Sequence, residues 1–303
     1  MKEYPKVYII ILNYNSGNET MECIRSIKNI TYPNYKIVMV DNHSNDSSRT
    51  TISENFPEET LISCDENRGY AAGNNIGIKY ALEAGAEYIC LLNSDVIVER
   101  DFLEPLIETL VSDSKIGMVG PCICDYYHRD IIQAMGANIN LCTGLAMGKY
   151  KGKMFNEIKE ESLKVDYLGG ACFIFKKSVV DKIGLIPENY FLFYEETEFC
   201  LKAERAGFSL FCLPSSRVYH KRSATISKFK GLSYFFLNKN RIVFMRRNAN
   251  FIQKLIFTVY IIIETFGRML IRGESSKLFK IYITGLKADL NNMDIEEVEK
   301  MLF

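Results

Sequence analysis

Two groups of acids in this sequence could do chemistry. Asn93-Ser94-Asp95 follows the apolar run Tyr88-Ile89-Cys90-Leu91-Leu92, and Glu195-Glu196-Thr197-Glu198 follows the aromatic run Tyr190-Phe191-Leu192-Phe193-Tyr194. An acid at the end of a buried strand faces the crevice where α/β sheets bind ligands. A hard divalent cation takes carboxylate oxygens, and a separate carboxylate can serve as a general base. The combination suggests metal-assisted group transfer.

The elements that must position these acids show in the hydrophobic pattern. Residues 7–12, 36–40, 60–64, 88–92 and 116–119 are short apolar runs that predict buried strands, and helical spacing predicts helices over 19–30, 71–84 and 101–112. This alternation predicts an α/β fold whose sheet is mainly parallel, with helices on both faces. In one such sheet Asn13, Asp41, Asn67 and Asp95 share a rim. Residues 121–165 read as long loops and short strands over that rim. Further strands are predicted over 166–176 and 208–220, and helices up to Gly207, over 231–249 and over 251–272. The reading divides the chain into residues 1–225, with halves 1–120 and 121–225, and a basic helical extension, 226–303.

Composition narrows the class. With 48% apolar residues the chain can bury a sizeable core, and a net charge of zero gives no global field for nucleic acid. The average hides an asymmetry, because residues 221–280 hold thirteen Lys or Arg against Glu264 and Glu274. Nine scattered cysteines with no paired CxxC spacing argue against zinc and suggest reduced thiols in a cytoplasmic protein. No cleavable leader and no bilayer-length apolar stretch is evident.

Several motifs in order resemble family 2 glycosyltransferases of the GT-A fold, especially the bacterial rhamnosyltransferase-like branch. They are Asn13-Tyr14-Asn15, Asp41-Asn42, Asn67-Arg68-Gly69 with Asn74-Asn75, Asn93-Ser94-Asp95, Gly169-Gly170-Ala171, Glu195-Glu196 and Val218-Tyr219-His220. The resemblance implies an inverting transfer from a UDP- or dTDP-sugar, dTDP-rhamnose among the candidates, to a glycan or lipid-diphosphate-linked hydroxyl in cell-surface polysaccharide assembly. It places Asn13, Tyr14, Asn15, Asp41, Asn67, Arg68, Gly69, Asn74 and Asn93 at the nucleotide-sugar, and Asp95 with His220 at a Mg²⁺ or Mn²⁺. It makes Glu196 the catalytic base, supported by Glu195 and Glu198. From the residues alone, Asp41 could equally cap its turn, and the three glutamates could be a solvated first turn favoured by the helix dipole.

Two departures stand out. Asn93 replaces the first acid of the family's D-x-D, and Glu196 stands where Asp is usual, which moves the carboxylate by about 1 Å. Either the backbone compensates or another member of the cluster is the base. Lys239-Asn240-Arg241 resembles an R-N-R near the acceptor, with Lys first. In 251–272 a stripe of Ile252, Leu255, Ile256, Val259, Ile263, Phe266 and Leu270 has Lys254, Arg268 and Arg272 off it. It suits an anionic membrane at the inner face of the cell membrane, packing on the catalytic domain, or a homodimer contact. A nucleotidyltransferase and a non-catalytic sugar-nucleotide-binding relative are the competing readings. The first expects a basic glycine-rich loop after strand one, where this chain has Asn13-Tyr14-Asn15-Ser16-Gly17.

Overall fold

The computed structural model describes residues 4–222, 230–272 and 277–291. The expected boundary at 225–226 lies outside the described residues.

The amino-terminal strands are β1 (Val7–Asn13), β2 (Tyr35–Asp41), β3 (Thr60–Ser63) and β4 (Tyr88–Asn93), separated by helices α1 (Gly17–Ile27), α2 (Ser48–Asn55) and α3 (Tyr70–Glu83). β1 pairs in parallel with β2 and β4, and β2 with β3. The unbroken apolar run of β1 is explained by burial on both faces. Val7, Ile9 and Ile11 enter one core, Tyr8 and Ile10 the other, because successive side chains point to opposite faces.

The second half adds β5 (Val96–Val98), α4 (Leu103–Ser112), β6 (Ile116–Asp125), β7 (Ile132–Ala134), β8 (Ala137–Asn140), β9 (Leu145–Gly148), β10 (Leu163–Val165), β11 (Cys172–Lys176), α5 (Lys177–Ile183), α6 (Glu195–Arg205) and β12 (Ser209–His220). The main path of the sheet is β10-β12-β6-β11-β4-β1-β2-β3, and β8 with β9 forms a separate hairpin. β11 runs antiparallel to both β4 and β6, so the sheet is mixed although mainly parallel. The strand expected over 166–176 is confined to Cys172–Lys176, because Asp166 and Tyr167 bond the Ala137 backbone instead of the main sheet. β6 continues past its expected end at 119, through Pro121 to Asp125, with β12 and β7 on either side.

Helices α7 (Lys230–Asn248), α8 (Phe251–Arg272) and α9 (Lys277–Lys287) form the carboxyl-terminal extension. α7 is tied to the rest of the fold through Glu198 on α6. Arg247 donates to both Glu198 oxygens at 2.8 Å, and Lys202 and Asn248 contribute bonds of 2.8 and 3.0 Å. Burial alone would raise the Glu198 pKa. Its partners outweigh that and hold it at about 2.

Candidate active site

The parallel register puts Asn13 beside Asp41 and Leu12 beside Asn93, so the polar ends of β1, β2 and β4 share a rim. What they do there differs in part from expectation. Asn13 is fully buried, and its Nδ2 donates to Asp41 Oδ1 at 2.7 Å. Ser44 donates to the same carboxylate through its hydroxyl (2.6 Å) and its backbone N–H (3.1 Å). Asn13 is therefore a brace, and Asp41 retains little unused acceptor capacity beyond one lone pair on Oδ2. Asn74 is also turned inward, bonding Tyr70 O at 3.0 Å. Asn67 Oδ1 accepts from Asn42 and from the Gly69 N–H, both at 2.9 Å, which shapes the loop. Tyr14 and Asn15 are half-buried at the rim, and Arg68 is exposed, 3.6–3.7 Å from Glu66 and Glu188.

Gly69 lets the Phe191 backbone approach closely. Its φ is +93°, and a Cβ there would lie 2.3 Å from the Phe191 carbonyl oxygen. That contact lets the Tyr70 N–H donate to Phe191 O at 2.8 Å. Phe191 begins a strained segment, since Phe191, Phe193 and Tyr194 have φ of 65°, 69° and 78°. Left-handed non-glycine residues cost on the order of 1–3 kcal/mol each. Asn240 of α7 clamps the segment, its Nδ2 reaching the carbonyls of Tyr190 and Leu192 at 2.8 Å and of Phe193 at 3.1 Å. The clamp aims the start of α6, and with it Glu195 and Glu196. Arg241, placed near the acceptor by resemblance, is buried instead. It bonds Thr143 O and Glu264, both at 2.7 Å, so it braces the β8–β9 turn against α8.

Glu196 is buried against Gly170. A Cβ on residue 170 would fall 2.0 Å from Glu196 Oε1, so the missing side chain makes room for an acid one methylene longer than Asp. Burial pushes the Glu196 pKa up to about 7, while hydrogen bonds from Tyr70 and Tyr167 oppose the rise. Glu195 lies beside it with Oε2 buried and unpartnered. Burial, then the Glu196 charge, holds the Glu195 pKa well above the usual carboxylate range. Glu198, expected to support the base, faces α7 and does not join the pair.

The other acid group assembles around β5. Val96 pairs with His220, which brings His220 Nε2 to 3.3 Å from Asp95 Oδ1. Asp95 Oδ2 is buried without a partner. Gln133, unnoticed in the sequence, fixes the histidine. Its Nε2 donates to Asp125 Oδ2 (3.1 Å) and His220 O (2.8 Å), which leaves Oε1 facing His220 Nδ1 at 3.0 Å. An oxygen there accepts from Nδ1–H, so Nε2 is the ring nitrogen turned to the Asp95 carboxylate. An imidazole nitrogen beside an unsatisfied buried carboxylate fits a divalent cation. Among the described residues no group of three or more His, Cys, Asp or Glu converges, so protein carboxylates and imidazoles would supply only part of its coordination.

Gly169-Gly170-Ala171 joins the two groups. The Asn93 N–H donates to Ala171 O at 2.9 Å, and the neighbouring Gly170 O accepts from the Tyr70 hydroxyl at 2.9 Å beside Glu196. Ala171 thus bonds the end of β4, and Gly170 next to it lies against the start of α6.

Replacing Gln133 by Leu removes the acceptor for His220 Nδ1–H. Outer partners of metal ligands are worth about 10–100-fold in affinity. Calorimetric titration of Mn²⁺ into the protein with a nucleoside diphosphate should show a loss of that size with folding unchanged. Unaltered affinity would remove Gln133 from the site.

In fold, the chain is similar to GalNAc-T7 with UDP, GalNAc and Mn²⁺, at TM-score 0.60 and 19% identity. The match covers 73% of this chain and spans 44% of that one. It is 27% identical over 254 residues to the low-salt glycan biosynthesis hexosyltransferase Agl10 of Haloferax volcanii, covering 80% of this chain and 76% of the relative. It is 24% identical over 248 residues to the dTDP-rhamnosyl transferase RfbF of Shigella flexneri, covering 80% and 78%. A family profile described as glycosyl transferase family 2 matches residues 8–184, more than half of the sequence, and the chain belongs to that family.

Proposed function

We propose that this protein is an inverting glycosyltransferase that moves a sugar from a nucleoside-diphosphate donor to a hydroxyl of a glycan, free or carried on a lipid diphosphate. The observation that carries the reading is Glu196, a buried carboxylate with its pKa near 7 at the start of α6, joined through Gly170 and Ala171 to the Asn93–Asp95 turn. A base with that pKa is half ionised at neutral pH and still basic enough to take a proton from an attacking alcohol.

Glu196 accepts the acceptor hydroxyl's proton as that oxygen bonds to the anomeric carbon, and the bond from that carbon to the diphosphate oxygen breaks. One displacement of this kind inverts the anomeric centre. Tyr70 and Tyr167 favour the ionised carboxylate, and burial of Glu195 disfavours a second charge beside it. Asp95, His220 and the neutral oxygen of Asn93 are the residues suited to a Mg²⁺ or Mn²⁺, which supplies positive charge to the leaving diphosphate. GalNAc-T7, similar in fold, was solved with UDP, GalNAc and Mn²⁺, which supports this. Tyr14, Asn15, Arg68 and the remaining lone pair of Asp41 are the groups left at the rim to meet the nucleotide.

Similarity to a dTDP-rhamnosyl transferase over 80% of the chain favours dTDP-rhamnose as donor, with UDP-sugars as the alternative. A thermal-shift screen of dTDP- and UDP-sugars tests this. Stabilisation grows with ligand concentration over Kd, reaching about 2.7 kcal/mol at a hundredfold excess. A rise in Tm with dTDP-rhamnose that requires Mn²⁺ or Mg²⁺ is expected. A rise only with UDP-sugars would reassign the donor, and none with any nucleotide sugar would overturn the reading.

A further inference from the structure

The α8 helix is amphipathic in the wrong sense for a helix that ends at water. It is fastened to the body by Phe257, Ile261 and Thr265, all buried, by the Glu264–Arg241 ion pair at 2.7 Å, and by Arg268 to Asn238 at 2.9 Å. Its polar and small residues thus take part in the attachment. The stripe that the sequence marks out faces away from the body. Ile252, Leu255, Val259, Ile263, Phe266 and Leu270 are 54–84% exposed. Ile283 and Leu286 of α9 extend the same apolar surface across a groove of about 330 Å³ between the two helices, with Arg246 and Lys254 among its lining residues.

A contiguous exposed apolar face of this kind marks a contact surface. Its charge selects the occupant. Lys254, Lys280 and Lys287 are exposed around it, α9 contains no acid, and the acid of α8, Glu264, is spent on Arg241. Among the described residues no helix is long and apolar enough to cross a membrane, so the face can lie only along one. A second copy of this chain would set lysines against lysines, whereas an anionic lipid surface satisfies the apolar stripe and the basic rim together. We propose that α8 and α9 seat the protein in the interfacial layer of an anionic lipid bilayer, with the stripe buried among acyl chains and the lysines at the headgroups. This holds whatever the protein transfers.

Sedimentation with vesicles tests it on the full chain. Vesicles of phosphatidylcholine with phosphatidylglycerol should pellet the protein, while pure phosphatidylcholine vesicles should pellet it at least about tenfold less, because each lysine near an anionic surface is worth roughly fivefold in binding. Leu255→Glu with Ile263→Glu should abolish binding to both. These side chains are exposed, so Tm should be unchanged. Lys254→Gln with Lys280→Gln should weaken only the binding to anionic vesicles, by about tenfold or more. No binding of the wild type to anionic vesicles would overturn the proposal. So would a dimer in light scattering that the double glutamate variant dissociates while vesicle binding is absent, since a second copy would then be the occupant.

Discussion

Glu196→Gln is expected to leave donor binding intact and to lower kcat by about 10²–10⁴-fold, the usual contribution of a positioned general base. The amide keeps the shape and the neighbours of the carboxylate but cannot accept the acceptor's proton. The pH profile should change with it. The wild-type base acts only when ionised, and burial has raised its pKa to about 7. So kcat/KM should climb about tenfold per pH unit below that value and level off above it. In the variant this limb should vanish. Gly170→Ala reaches the same loss by a different route, because its Cβ would sit 2.0 Å from Glu196 Oε1 and displace it. A shift of about 1 Å in a reacting group can cost on the order of 100-fold. Near-wild-type turnover in Glu196→Gln would place the base on another residue.

Asp95→Ala should remove the dependence of donor binding on Mn²⁺. The structure leaves Asp95 Oδ2 buried and unpartnered and sets His220 Nε2 3.3 Å from Oδ1. Without the carboxylate the charge that attracts the cation is gone, and His220 and Asn93 offer only neutral atoms. Outer partners of metal ligands are worth about 10–100-fold, so loss of the ligand itself should cost more than about 100-fold in donor affinity measured with Mn²⁺. Affinity without metal should change little. Equal affinities for wild type and variant in Mn²⁺ would show that the cation, if it binds, is held elsewhere.

Membership of glycosyl transferase family 2 sets aside the nucleotidyltransferase alternative. The Arg241 and Glu198 positions show how a motif can be legible while its use is not. Both were visible as charged residues near functional segments. Their partners, Thr143, Glu264 and Arg247, lie far along the chain, and burial among those partners makes them braces. Asn13 and Asn74 are likewise buried, their amides bonded to Asp41 and to Tyr70 O.

The sequence by itself determined the alternation of strands and helices, the parallel amino-terminal half, the two acid groups and the family. Those features are local: an apolar run, a helical spacing or a motif declares itself within a few residues. Only the tertiary structure decided the rest. The antiparallel insertion of β11 between β4 and β6 depends on which strands meet, and the tautomer of His220 depends on Gln133, brought near by the β6–β7 and β5–β12 pairings. The room for Glu196 is the absence of a side chain on Gly170. Periodicity found the apolar stripe of α8, but a helix pattern does not say which way the helix is turned. That orientation is set by the contacts of Phe257, Ile261, Thr265 and Glu264 with the body, and it leaves the stripe facing out.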